Sequence, residues 1–238
     1  MNDEIPFQRL TAITSLLAGV LALGSIVLLA LAVGFNIDAF SNPHSMLVMS
    51  ASSVSLFRWG MILDMFGYYL LLAPLALFLW SWLKNKGMNL VALYTLCGLA
   101  YILIGAMGAV ILAAAGSPLI ESYSKATGQQ RQILEIVFSG FINVVYVGLW
   151  NLLESSLSGI WWLGIGRLLR REQPALGIVT IALGILALLD AFGWILNIEI
   201  IYTVGLAGIL LLIPIWTLWF GIVLMRNLTM SIQSGKKV

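Results

Sequence analysis

The octapeptide LDMFGYYL at residues 63–70 returns as LDAFGWIL at 189–196, and each copy sets a carboxylate in a run apolar enough to sit in lipid. A third acid, Glu154, stands within NVVYVGLWNLLESSLSGIWW. An ionisable side chain at membrane depth costs at least ~2.5 kcal/mol on insertion scales, so Asp64, Glu154 and Asp190 each need a reason that a leucine would not. No lysine or arginine lies at comparable depth, the nearest being Arg58, about one and a half turns above Asp64. An unpaired carboxylate in a low dielectric is neutralised by a proton or by a bound cation. The chemistry to expect is therefore proton or cation exchange; the alternative is that the acids are protonated or hydrogen-bonded to Ser, Asn, Tyr and Trp and serve only to hold helices together.

The neighbours of the acids sharpen that expectation. Each octapeptide carries a glycine three residues after its acid (Gly67, Gly193) and an aromatic residue four after it (Tyr68, Trp194), positions on the carboxylate's own helix face. Glycine lets another helix come close, and the aromatic tip offers an O–H or N–H. The octapeptide thus predicts a carboxylate in a narrow notch equipped with a donor. Around Glu154, the residues Asn143, Asn151 and Ser158 recur at three-, four- or eight-residue intervals and form one polar stripe, extended by Ser155. Facing lipid, such a stripe would be costly, so it is expected to face the bundle interior, a cavity or another subunit. The predicted ligand- or proton-binding set is Asp64, Glu154, Asp190, Asn151, Tyr68 and Ser158.

Composition defines what must position these side chains. With 61% hydrophobic residues, 9% charged and a mean hydropathy of +1.03, the chain has too little polar surface to cover a water-soluble globule. Six apolar stretches stand out, at about 10–34, 57–83, 90–115, 136–168, 176–196 and 200–225. Each reaches the roughly 20 residues that cross a ~30 Å hydrocarbon layer as helix, and the period-2 alternation of a membrane barrel is absent. The expected architecture is all-α: one transmembrane domain, residues 1–238, built as a bundle of six helices. The first stretch is too long for a secretion signal, and more spans follow it.

With the N terminus placed in the cytoplasm, the inner ends and loops hold Arg9, Lys84, Lys86, Arg167, Arg170, Arg171, Arg226, Lys236 and Lys237, against Arg58, Lys125 and Arg131 outside. The positive-inside bias then puts both termini in the cytoplasm, and the net charge of +2 speaks of topology, with no nucleic-acid partner implied. Trp59 and Trp194 are expected at the outer interface, Trp80, Trp82, Trp161 and Trp162 at the inner one. The two long outer connections, 36–56 with the only histidine (His44) and 116–135, are expected to be plain linkers with at most a short interfacial helix. The short NIEI at 197–200 makes the last two spans antiparallel neighbours. Pro74 and Pro214 fall inside spans and should kink them.

Residue counts exclude several classes. One histidine cannot supply bis-histidine haem ligation or a His-rich zinc site, Cys97 has no disulfide partner, and no lysine inside a span offers a Schiff base. No cofactor is predicted. Besides the octapeptide, YTLCGLAYIL at 94–103 resembles YTVGLAGIL at 202–210, as an inverted repeat would require, but the spacing from each acid differs, 30 residues against 12, which favours chance.

The stretches RWGMILDMFGYYLLLAPLALFLWSWL, GIWWLGIGRLLRR and LLIPIWTLWFGIVLMR together resemble a group of uncharacterised bacterial multi-pass membrane proteins, classed only as a domain of unknown function. That resemblance implies a bacterial inner membrane and six spans, and carries no activity and no site. Four function classes follow from the residues. The leading one is proton- or cation-linked transport or binding of a small solute in an outward-facing cavity lined by the acids. Second is an accessory or assembly subunit that packs Gly-rich faces on partner membrane chains or on a second copy. The third, an intramembrane enzyme acting on lipids, would rely on Ser155 and Ser156 beside Glu154 but has no histidine or lysine to serve as base. A lipid, quinone or pigment site in an aromatic-lined groove is the fourth.

Overall fold

A computed structural model of the chain describes residues 4–36 and 43–233. Helix dominates them: α1 (Glu4–Ala32), a short α2 (Pro43–Leu47), α3 (Ser52–Lys86), α4 (Met88–Lys125), α5 (Gly128–Leu169), α6 (Pro174–Leu196) and α7 (Glu199–Gln233). Every one but α2 is long and apolar enough to cross a membrane. The helices outrun the apolar stretches that mark them. Helix α4 continues past residue 115 to Lys125, and α5 starts at Gly128, well before 136. Once a helix is nucleated each further residue gains a backbone bond, so polar residues extend it readily, and α4 passes Pro118 directly after a π turn at Leu112–Gly116. The first helix ends at Ala32, earlier than 34, because Gly34 and Phe35 turn to positive φ (62° and 60°).

Small residues set the packing. The buried face of α1 reads Ala12, Ser15, Ala18, Gly19, Ala22 and Ser25, a stripe at helical spacing that lets α3 and α7 come close. A Cβ on Gly67 of α3 would lie 2.7 Å from Ala22 Cα, so these two helices meet backbone to backbone. Helices α5 and α6 form a hairpin closed by residues 170–173, and α6 and α7 another, as the short NIEI connection requires. There the Ile198 N–H donates to the Gly193 carbonyl at 2.8 Å and the Asn197 N–H to the Trp194 carbonyl at 3.2 Å, a Schellman closure with Asn197 left-handed.

Two hydrophobic cores result. The inner one centres on a run of rings, Tyr69, Tyr101, Trp161, Trp162, Trp216 and Phe220, whose successive centroids are 5.5, 5.7, 4.2, 4.9 and 5.0 Å apart. Trp161 and Trp162 are fully buried between helices here. Gly98 makes the room: a Cβ on it would lie 2.6 Å from the Trp161 ring. Aromatic pairs of this kind add ~0.5–1.5 kcal/mol each beyond their burial. The outer core gathers Met46, Leu47, Phe57, Met61, Leu112, Ile120, Tyr123 and Phe138. In the connection at 36–56, α2 buries Met46 and Leu47 over the ends of α4 and α5, and His44 Nδ1 meets Glu135 Oε1 at 2.8 Å. Residues 37–42 of that connection, like Lys236 and Lys237, lie outside the described residues. Lys86 at the end of α3 pairs with Glu172 in the α5–α6 turn, which fixes both turns on one face of the bundle.

Pro214 remains inside α7, its carbonyl accepting the Thr217 hydroxyl at 2.9 Å, whereas the backbone ahead of Pro74 departs from α-helix altogether. Residues 63–70 therefore open into wider and tighter turns while 189–196 stay regular, and the repeated octapeptide is not a repeated structure.

Candidate functional site

The departure in α3 begins one residue after Asp64. Proline has no N–H and its ring collides with the carbonyl four residues back, so the helix ahead of Pro74 cannot close normally. Met65–Tyr69 form a π turn and Leu70–Leu72 a 3₁₀ turn, with Tyr69 at φ −129°, ψ −82°. The consequence is that two consecutive tyrosines both turn into the bundle. Tyr68 donates its hydroxyl to the Leu210 carbonyl of α7 at 2.6 Å, and Tyr69 donates to Glu154 Oε2 of α5 at 3.2 Å. The Tyr68 carbonyl, at the break itself, accepts the Tyr101 hydroxyl of α4 at 2.7 Å. Gly105 on α4 leaves the space that the Tyr69 ring fills.

Helix α5 has its own wide run, Val144–Glu154, ending on the third acid. Such π segments recur at functional sites because they redirect the side chains that follow. Here they split the predicted polar stripe. Asn151, Glu154, Ser155 and Ser158 are buried, but Asn143, ahead of the π run, is exposed. Each wide turn adds about a residue per turn to the α period, so a stripe laid out at α spacing loses Asn143. Ser158 donates to the Ser155 carbonyl at 3.2 Å and not to an acid.

Asp190 lies on α6, sixteen residues past Pro174, and Glu154 fifteen before Leu169, so the α5–α6 hairpin brings them to one level. Ser155 donates to Asp190 Oδ2 at 2.5 Å. Helix α7 presses on the same point, where a Cβ on Gly205 would lie 2.8 Å from Asp190 Cα. Gly193 likewise admits α7, at Tyr202. The aromatic donors expected from the octapeptide are not used on the acids: Tyr68 reaches Leu210, and Trp194 stacks on Tyr202 at 4.4 Å with its N–H unpartnered. The notch is real but its donors come from elsewhere, Ser155 for Asp190 and Tyr69 for Glu154.

All three acids are buried, Asp190 fully and Asp64 and Glu154 to within 7% and 8% exposure. No ion pair among the described residues reaches any of them. Asp64 Oδ2 and Asp190 Oδ1 are buried without a hydrogen-bond partner among the described residues. So is the Ser25 hydroxyl of α1, which sits near the level of Asp64 because Gly24 meets Leu63 and Ala22 meets Gly67. Among the described residues, no group of His, Cys, Asp and Glu converges as a metal-ligand set. Tyr69 of α3 bonds Glu154 of α5, and Ser155 of α5 bonds Asp190 of α6; these are separate contacts, and among the described residues no hydroxyl bonds two of the acids. Two hollows lie between α3 and α4, and no acid lines either.

Tyr69, Tyr101, Ser155 as a donor and Ser25 are the members that residue spacing did not single out. Tyr69 had one available signal, its position five residues before a mid-span proline. No family model, no curated protein and no solved structure matches the chain.

Proposed function

We propose that this chain is a multi-pass protein of a bacterial inner membrane, both termini cytoplasmic, that binds or moves a small solute in step with protons held on Asp64, Glu154 and Asp190. The observation that carries the reading is a pair of buried carboxylate oxygens, Asp64 Oδ2 and Asp190 Oδ1, without a hydrogen-bond partner among the described residues, in a bundle that buries a third carboxylate, Glu154. On insertion scales three such acids cost roughly 8–10 kcal/mol, as much as the whole stability of many domains, a cost that structural glue worth ~0.6 kcal/mol per bond would not offset. Protons suit the site better than a metal ion, given the absence of a converging ligand set among the described residues. The Tyr69 hydroxyl bonds Glu154 and the Ser155 hydroxyl bonds Asp190, and each can act as proton donor and acceptor toward its own acid. Asn151, buried one turn ahead of Glu154, and Ser158 complete the polar wall, and Tyr68 holds α3 to α7. The test is proton flux in liposomes carrying the purified chain and a trapped pH dye. Glu154→Gln should abolish flux that the wild-type chain supports; equal flux in the two would overturn the reading.

One observation favours a second reading, an accessory chain or a homo-oligomer. The outer half of α5 presents Ile136, Gly140, Asn143, Val144 and Gly148 on an unpartnered face, and a polar Asn143 there is better placed against another chain than against lipid. Mass spectrometry of the gently purified protein decides this one: a stoichiometric companion or second copy supports it, and a lone chain ends it.

A further inference from the structure

The two hollows between α3 and α4 adjoin one another. Met65 and Val110 line both, the first extending to Arg58, Ala113 and Ala114 and the second to Leu70, Leu103 and Met107. Their volumes are about 160 and 250 Å³. The cause is a mismatch of side-chain size: Ala106, Ala109 and Ala113 on α4 face Met61 and Met65 on α3, and neither side fills the gap. The groove is apolar for its whole length except at one end, where Arg58 stands exposed beside Trp59. No ion pair among the described residues engages Arg58. From residue 58 to residue 70 is about 18 Å of helix at 1.5 Å per residue. One leaflet of a ~30 Å hydrocarbon layer is about 15 Å deep.

We infer that this groove is a specific site for one glycerophospholipid, with its phosphate on Arg58 and an acyl chain laid between α3 and α4. Charge at the mouth, apolar walls, leaflet-matched length and methionines that adapt to a flexible chain all fit that occupant. Arginine presents a planar fork of N–H groups to phosphate oxygens, and no carboxylate among the described residues pairs with the Arg58 guanidinium. The site is separate from the three acids, so the proposal stands or falls independently of proton handling.

The test is native mass spectrometry of the full chain in detergent, titrated with phosphatidylglycerol and, in parallel, with diacylglycerol of the same acyl chains. The wild-type chain should bind one phosphatidylglycerol about tenfold more tightly than diacylglycerol. Arg58→Gln should erase that preference, and Val110→Trp, which plugs the groove where its halves join at an exposed position, should weaken both ligands. Equal binding of the two lipids by the wild-type chain, or phosphatidylglycerol binding unchanged in both variants, would overturn the inference. So would a second protein chain occupying the groove.

Discussion

Removing one hydroxyl, that of Ser155, isolates the hydrogen bond that holds Asp190. The Ser155 Oγ to Asp190 Oδ2 bond is 2.5 Å long, Asp190 is fully buried, and its other oxygen already lacks a partner. Ser155→Ala therefore leaves a buried carboxyl group with no donor to either oxygen among the described residues. Hydrogen bonds between membrane helices average ~0.6 kcal/mol and reach ~1.7 kcal/mol, and one this short belongs near the upper end, so the expected loss is about 1.5 kcal/mol. Asp190→Ala removes the acceptor itself, so the Ser155 hydroxyl loses the same bond whichever side is cut. In the double variant the serine has no bond to residue 190 left to lose, which predicts a coupling of about 1.5 kcal/mol between the sites. The assay is unfolding of the purified protein in mixed micelles of rising denaturing-detergent content, followed by tryptophan fluorescence. Additivity of the two substitutions to within ~0.3–0.5 kcal/mol would refute the claim that Ser155 positions Asp190.

Further substitutions probe the parts around that bond. Gly67→Leu should prevent α1 and α3 from closing, because even a Cβ falls 2.7 Å from Ala22 Cα, and size-exclusion chromatography should show loss of the monodisperse folded species. Trp161→Ala removes a fully buried ring from the middle of the aromatic run and should destabilise by ~3–5 kcal/mol in the same detergent titration. Tyr69→Phe keeps the ring that fills the space at Gly105 but takes the donor from Glu154; stability should fall by under ~1.7 kcal/mol while proton flux in liposomes drops several-fold. Lys86→Ala breaks an ion pair whose partners are 28% and 38% exposed, and should change stability by less than about 1 kcal/mol.

The helices were legible in the sequence because hydropathy and length are properties of the residues themselves, and six apolar runs had no other use. So was the burial of Asp64, Glu154 and Asp190. What spacing could not supply was the direction of the side chains around them. The octapeptide argument assumes α-helical geometry, yet Pro74 unwinds α3 just where the argument is applied, turning Tyr69 toward Glu154 and Tyr68 toward α7. The polar stripe on α5 fails at Asn143 for the same reason, since the π run changes the period that the stripe was counted on. Trp161 and Trp162 near the end of a span suit an anchor facing lipid as well as one buried between helices, and only the facing Gly98 on another helix decides between them. Each of these facts depends on a second helix, and pairing between helices was not written in the apolar pattern.

The central claim is that the three carboxylates bind protons as one coupled set. Infrared spectroscopy of the reconstituted protein across a pH titration reads the carbonyl stretch of protonated carboxyl groups directly, and isotope exchange identifies those shielded from water. The account predicts a shielded carboxyl band in the wild-type chain, reduced in Asp64→Asn and in Asp190→Asn, with the remaining titration displaced to a different pH once Glu154→Gln removes the third acid. A band absent from the wild-type chain, or a titration of Asp64 and Asp190 untouched by Glu154→Gln, would contradict it.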